Sequence, residues 1–242
     1  MKLIEKKENQ IVFTSNIEES LANAIRRYTY EIPILAIDEV EIFKNDSALY
    51  DETIAHRLGL IPLKMDGSFD EKTEIKLKLA VKKGGVILSE EIKGQVEPAY
   101  KNIPIVSLNT DQELEMIATV KLGKGKEHSK FSPGLVFYRN VPEIKINKEC
   151  NNCMVCVEVC PRGVLKADNK KIIVEDVYKC DMCGICLEKC KYHQKDAITI
   201  APTNELMITV ESFGQIKSKD IIVKAIKELK KDLNEVEKKI SK

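Results

Sequence analysis

The chain has no run of about 18 apolar residues, so no segment can cross a bilayer as a helix. Its N-terminus, Met1-Lys2-Leu3-Ile4-Glu5-Lys6-Lys7-Glu8, lacks the apolar stretch of a secretory signal. These two absences predict a soluble, cytoplasmic protein. There is no excess of either charge: 39 Lys and Arg against 38 Asp and Glu leave a net charge of +1. A chain that grips nucleic acid by itself shows a basic surplus, so any role with DNA is expected to be indirect. Catalytic signatures are missing as well. No G-x-G-x-x-G is present, and Gly123-Lys124-Gly125-Lys126, followed by Glu127, lacks the frame of a phosphate loop. His56, His128 and His193 stand among motifs unlike any triad and read as structural or interface residues. No Asp-rich magnesium motif for nucleotidyl transfer appears. Finally, cysteine is absent outside one window, with all eight between Cys150 and Cys190. A reducing cytosol disfavours disulfides, so those thiols need another explanation.

What is present has an ordinary globular balance, 43% hydrophobic and 32% charged. With 242 residues there is room for one large domain or two to three small ones. The β-prone run Gln10–Thr14 is followed by Ser15 and Glu18, a capping box opening a helix with Ile17, Leu21, Ala24, Ile25 and Tyr28 on one face. Pro33 is expected to end that helix, and Ile34–Phe43 to form a strand. A short helix over 51–58 is expected to stop at Gly59 as its C-cap, with Pro62 blocking continuation. The stretch 74–82 alternates cleanly as a half-buried strand. Further strands are expected over 103–108, 114–122 and 135–138. The tail reads as a long helix from Ser218 or Asp220, with Ile222, Ile226, Leu229, Leu233, Val236 and Ile240 forming a narrow seam. Such a stripe suits either a core helix of its own domain or a helix offered to another chain. Pro142 and Pro202 are the expected punctuation around the cysteine segment.

The cysteines form two runs, Cys150-x2-Cys153-x2-Cys156-x3-Cys160-Pro161 and Cys180-x2-Cys183-x2-Cys186-x3-Cys190. This is the cadence of two-cluster bacterial ferredoxins, in which the fourth cysteine of each run ligates the other cluster. The expected sites are therefore crossed: Cys150, Cys153, Cys156 and Cys190 for one [4Fe-4S] cluster, and Cys180, Cys183, Cys186 and Cys160 for a second. An internal repeat supports them. Pro161-Arg162-Gly163-Val164-Leu165 follows the first run; Lys191-Tyr192-His193 and Asp196-Ala197-Ile198 follow the second. Each half is expected to be a cysteine loop, a short helix and a strand-like pair. Lys191 stands where a proline usually follows the last cysteine. Zinc sites would call for CxxC pairs separated by a longer loop. The ferredoxin likeness covers roughly 143–200.

The flanking residues carry a second resemblance. Leu21-Ala22-Asn23-Ala24-Ile25-Arg26-Arg27, Pro33–Val40, Leu49–Leu63 and Gly123–Pro133, in that order, resemble the archaeal RNA polymerase D-subunit family, its eukaryotic counterpart and, more distantly, the bacterial α subunit. The resemblance implies an α+β fold. In it, a discontinuous dimerisation domain (1–48 and 203–242) is joined to a β-rich middle domain (49–142) and an inserted 2x[4Fe-4S] ferredoxin-like domain (143–202). It implies a non-catalytic assembly platform: the tail helix pairs with the small subunit L, subunit N joins, and the large subunits are recruited. One of Arg26 and Arg27 would meet the second-largest subunit, where the planar guanidinium fork suits a carboxylate. The alternative is a ferredoxin-type electron-transfer protein with a fused domain. A redox-responsive regulator of assembly would combine the two.

Overall fold

The computed structural model describes residues 1–65, 69, 74–192 and 197–241. Along the chain come β1 (Lys2–Lys6), β2 (Gln10–Ser15), α1 (Glu19–Tyr28), β3 (Pro33–Asn45), α2 (Asp51–Gly59), β4 (Ile75–Val81), β5 (Gly85–Leu88), β6 (Lys93–Gly94), β7 (Pro104–Leu108) and β8 (Leu114–Lys124). They are followed by β9 (Gly134–Ile146), α3 (Val155–Glu158), β10 (Leu165–Asp168), β11 (Lys171–Val174), α4 (Ile185–Tyr192), β12 (Ile198–Ser212) and α5 (Ser218–Ile240). The sheets run β1-β2-β12-β9, β3-β8-β4-β6, β5-β7 and β10-β11. The chain divides into two compact units, and two of the divisions, at 137/138 and 208/209, fall inside β9 and β12. The mixture of helices and antiparallel sheet is the α+β class that the sequence implied.

The larger unit, residues 5–11, 20–137 and 209–242, is organised by β4. Its alternation puts Ile75, Leu77, Leu79 and Val81 inward and Lys76, Lys78 and Ala80 outward. Register with β8 sets Leu77 opposite Ala118, Leu79 opposite Met116 and Val81 opposite Leu114. Ile54 and Leu58 of α2 close the same core, both fully buried. The β3–β8 ladder slips between Ile37 and Glu39, and such a bulge re-aims the extra residue. Here it is Asp38, which holds Lys130 at 2.7 Å and Lys121 at 2.9 Å. Lys130 belongs to the Gly123–Pro133 motif, which a second pair, Glu31 with Lys126 at 2.9 Å, also ties down. Gly123 is required by packing: a Cβ there would lie 2.6 Å from the Phe131 ring.

Three expectations change. The first helix starts at Glu19, because Ser15 is the last residue of β2 and is held extended by the sheet, so the Ser15–Glu18 capping box does not form. Gly59 is not a left-handed C-cap but the last residue of α2. Leu60, in ordinary right-handed geometry, ends the helix with its N–H on the carbonyls of Arg57 and Leu58. Pro142 and Pro202 lie inside β9 and β12 instead of punctuating them. β9 is a sheet edge, where a missing N–H is tolerated. β2, with six residues, is too short to flank all fifteen of β12, which leaves room for Pro202.

In the tail, α5 is one helix from Ser218, as expected, yet the seam is not uniform. Ile221 and Ala225 are its buried pair, and Ile222, Ile226 and Leu229 are half-buried. Leu233, Val236 and Ile240 are 57%, 51% and 80% exposed. Tyr28, the last residue of α1, donates to Asp232 of α5 at 3.0 Å.

The smaller unit, residues 1–4, 12–19 and 138–208, carries every cysteine. One apolar cluster joins Val12, Val141 and Met207 to Ile4, Val177 and Tyr178. A second is built on Cys156, Leu165, Ile172, Cys186 and Ile198.

Candidate metal centre

The two cysteine runs repeat at an offset of 30 residues, and the backbone repeats with them. Asn152 and Met154, flanking Cys153, have φ of 56° and 64°; Met182 and Gly184, flanking Cys183, have 56° and 79°. Left-handed backbone is unfavourable for side chains other than glycine, so three of these four positions are strained and only Gly184 is not. The alternating hand turns successive N–H groups towards one side, a concavity that binds anions and is used around iron–sulfur clusters. Cys153 and Cys183 are the exposed members of each run, Cys156 and Cys186 are buried in both, and Cys180 is buried where its counterpart Cys150 is half-buried.

Four of the thiols come together in one place. Cys160, Cys180, Cys183 and Cys186 line one cavity whose other walls are largely apolar, among them Ile144, Val164, Leu165 and Ile200. Burial pushes the Cys156 thiol up to about 11, with charge on Cys150, Cys153, Cys186 and Cys190 adding to the effect. Burial also raises Cys186, helped by Cys160 and Cys180 and opposed by the Leu187 N–H. Thiols crowded in this way resist ionising together until a cation compensates them, and metal binding removes their protons. Among the described residues no three His, Cys, Asp or Glu side chains converge on the position of one ion. Four thiols lining one cavity beside left-handed cysteine loops are a donor set that fits an iron–sulfur cluster.

Neighbouring groups hold the cysteine loops. The Val164 N–H points at Cys160 Sγ at 3.4 Å, and Asn152 Oδ1 accepts the Ile172 N–H at 3.3 Å. Asp176 caps the turn Val177–Lys179 that leads into Cys180, accepting the Tyr178 N–H at 3.0 Å. Arg162 pairs with Asp181 at 3.1 Å, linking the two cysteine loops and holding the Asp181 carboxyl below its ordinary value. Arg139, from β9, donates to the carbonyls of both Tyr178 and Cys180. The sequence pattern marked neither Arg139 nor the Arg162–Asp181 pair. The glycine at 184, opposite Met154 in the repeat, was the one local hint of the left-handed backbone.

The repeat is less symmetric than expected. Proline disfavours helix at the residue before it, and α3 ends at Glu158, ahead of Cys160 and Pro161. Lys191 lifts that restriction, and α4 runs through Cys190 to Tyr192. The first half has its strand pair as the β10–β11 hairpin, with Leu165 opposite Val174, whereas the second half enters β12 directly. His193 and Asp196 lie outside the described residues. His56 is exposed, and His128 Nδ1 accepts the Lys130 N–H at 3.1 Å, a structural role. Arg26 is engaged with Asn23 of its own helix at 2.9 Å, whereas Arg27 is exposed.

Comparison with known proteins matches residues 40–134 to the RNA polymerase Rpb3/RpoA insert domain and residues 143–191 to a 4Fe-4S dicluster domain. Among curated proteins, the chain is 34% identical to DNA-directed RNA polymerase subunit Rpo3 of Methanothermobacter thermautotrophicus, covering 92% of each chain. It is also 34% identical to Rpo3 of Archaeoglobus fulgidus, over 98% of this chain and 96% of the relative. Rpo3 of Thermococcus kodakarensis matches at 34% over 93% and 92%.

Proposed function

Since the chain belongs to the archaeal Rpo3 family of DNA-directed RNA polymerase subunits, we propose that it is the assembly platform of that enzyme and carries two [4Fe-4S] clusters in the crossed sites. It is itself a non-catalytic subunit of a nucleotidyltransferase complex and bears a 4Fe-4S domain. Cys150, Cys153, Cys156 and Cys190 would hold one cluster, and Cys180, Cys183, Cys186 and Cys160 the other. When bound, such a group supplies a covalent cross-link between chain segments and a site for one-electron exchange. The first use suits a region whose own apolar core is small.

The observation that carries the assembly role is the outer half of α5. Leu233, Val236 and Ile240 form an exposed apolar stripe on the part of α5 that follows Asp232. A helix that is apolar along one stripe and charged elsewhere is built to bury that stripe. On this reading the stripe, continued by Ile222, Ile226 and Leu229, packs on subunit L. Residues 1–48 and 203–242 form the dimerising part, 49–142 the β-rich middle and 143–202 the ferredoxin-like part. Subunit N and the large subunits are the further partners. Arg27, exposed on α1, meets the second-largest subunit, and DNA is met only through the complex.

The test is reconstitution. Leu233→Glu combined with Val236→Glu is expected to abolish capture of subunit L while leaving the melting temperature of the isolated chain unchanged. Undiminished capture sinks the reading. Arg27→Ala should keep the pair with L and weaken recruitment of the large subunit.

A further inference from the structure

Arg139 is a half-buried cation whose hydrogen bonds go to two backbone carbonyls, those of Tyr178 and Cys180. Among the described residues no Asp or Glu forms an ion pair with it, although other cations of the same region have one. Arg162 has Asp181, Lys166 has Glu175 and Lys179 has Asp176. A guanidinium stays charged at any accessible pH. Taking it out of water without a counter-anion is costly, and hydrogen bonds to neutral carbonyls offset only part of that cost. The carbonyl that it holds belongs to Cys180, which is buried and lines the same cavity as Cys160, Cys183 and Cys186. A cubane ligated by four thiolates is an anion, and its reduction adds one more negative charge.

We infer that Arg139 is the positioning residue and counter-cation of the site made by Cys160, Cys180, Cys183 and Cys186, and that it sets the reduction potential of the cluster held there. Its fork fixes the carbonyls of Tyr178 and Cys180 and so fixes the entry of that cysteine into the cavity. Its charge favours the reduced, more negative state of the cluster. Among the described residues no arginine bonds the carbonyl of Cys150, the matching residue of the other site. The turn itself is common to both halves, since the Cys150 N–H bonds the Asn147 carbonyl as the Cys180 N–H bonds that of Val177, and it is the arginine on the Cys180 carbonyl that differs. The two clusters are thereby given different potentials by one residue outside both cysteine runs.

The inference rests on the crossed ligand sets, and the experiment separates the two. Full-length chain is loaded anaerobically with iron and sulfide, then titrated with dithionite while EPR follows each reduced cluster. Arg139→Gln should lower the reduction equilibrium constant of one cluster about tenfold, ~59 mV for a one-electron couple, and leave the other unmoved. Arg139→Lys keeps the charge without the fork and should shift it by less than half as much. No shift in Arg139→Gln, equal shifts of both clusters, or Arg139→Lys moving as far as Arg139→Gln would each overturn the inference. If Arg139→Gln fails to take up iron at that site, Arg139→Lys decides. Full loading with a small shift supports the counter-cation, and failure of both leaves a purely structural clamp and overturns it. Cys150→Ala with Cys153→Ala tests the ligand reading separately. Iron should fall from about eight to about four per chain, and the remaining signal should be the one that Arg139→Gln moves. Unchanged iron sinks the ligand reading, while the potentials measured with all eight cysteines present still decide the role of Arg139.

Discussion

The middle region around β4 and β8 and the cysteine region around 150–190 hold their chains in place by opposite means. In the first, twenty described side chains, all apolar, form one buried cluster. In the second, the buried cluster numbers five, and two of those are the cysteines Cys156 and Cys186. Burying apolar area stabilises by about 25 cal/mol per Å², so the middle region has what it needs without help. The cysteine region has little such area, carries backbone strain at Asn152, Met154 and Met182, and crowds thiols that oppose one another's ionisation. The difference shows that compactness can come from the chain itself or be assigned to a bound group, and that each choice leaves its mark in residue type.

The comparison breaks most visibly on removing the metal. Chelation with mild oxidation should expose the amides of 150–190 to hydrogen exchange while β3, β4 and β8 stay protected. Protection persisting over the cysteine loops would show that they fold without clusters. The reciprocal cut is Leu79→Ala, expected to cost about 2–5 kcal/mol in urea unfolding of the middle region with no change in iron per chain. A finer contrast uses the left-handed positions. Gly184→Ala puts a side chain at φ +79° and should weaken the loaded cysteine region by about 1 kcal/mol, whereas Met154→Gly, at the matching position, should have the opposite sign. Both are read from the temperature at which the iron–sulfur absorbance is lost.

The smallest effect is electrostatic. Lys130 and Lys121 hold the Asp38 carboxyl below its ordinary value. A lowered folded value means stability that is complete above the unfolded value and is lost as the pH falls through the folded one. Asp38→Asn should therefore cost about 0.5 kcal/mol at neutral pH and flatten the acid limb of the urea midpoint against pH. A steeper acid limb in the variant would contradict that sign.

Much of the candidate centre was legible in the chain, because the spacing C-x2-C-x2-C-x3-C lies within each short run and the repeat of that run points to its partner. The alternation of β4 was legible for the same reason, since period two is a property of a strand on its own. Helix ends were less so: Ser15 satisfied a capping rule locally, yet the sheet kept it extended, and α1 began at Glu19. Pro142 and Pro202 resembled punctuation because a missing N–H forbids most strand positions, but an edge and an unflanked stretch accept them.

The amino-acid order alone determined which residues are available to bind metal, that they come as a repeat, and which stripe of the last helix is apolar. These follow from spacing along one chain. Tertiary structure alone decided that Arg139 reaches Cys180 across 41 residues, that a bulge releases Asp38 to Lys130, and that only Leu233, Val236 and Ile240 of the stripe stay open. Those depend on strand register and on where packing stops, quantities that no local window of sequence contains.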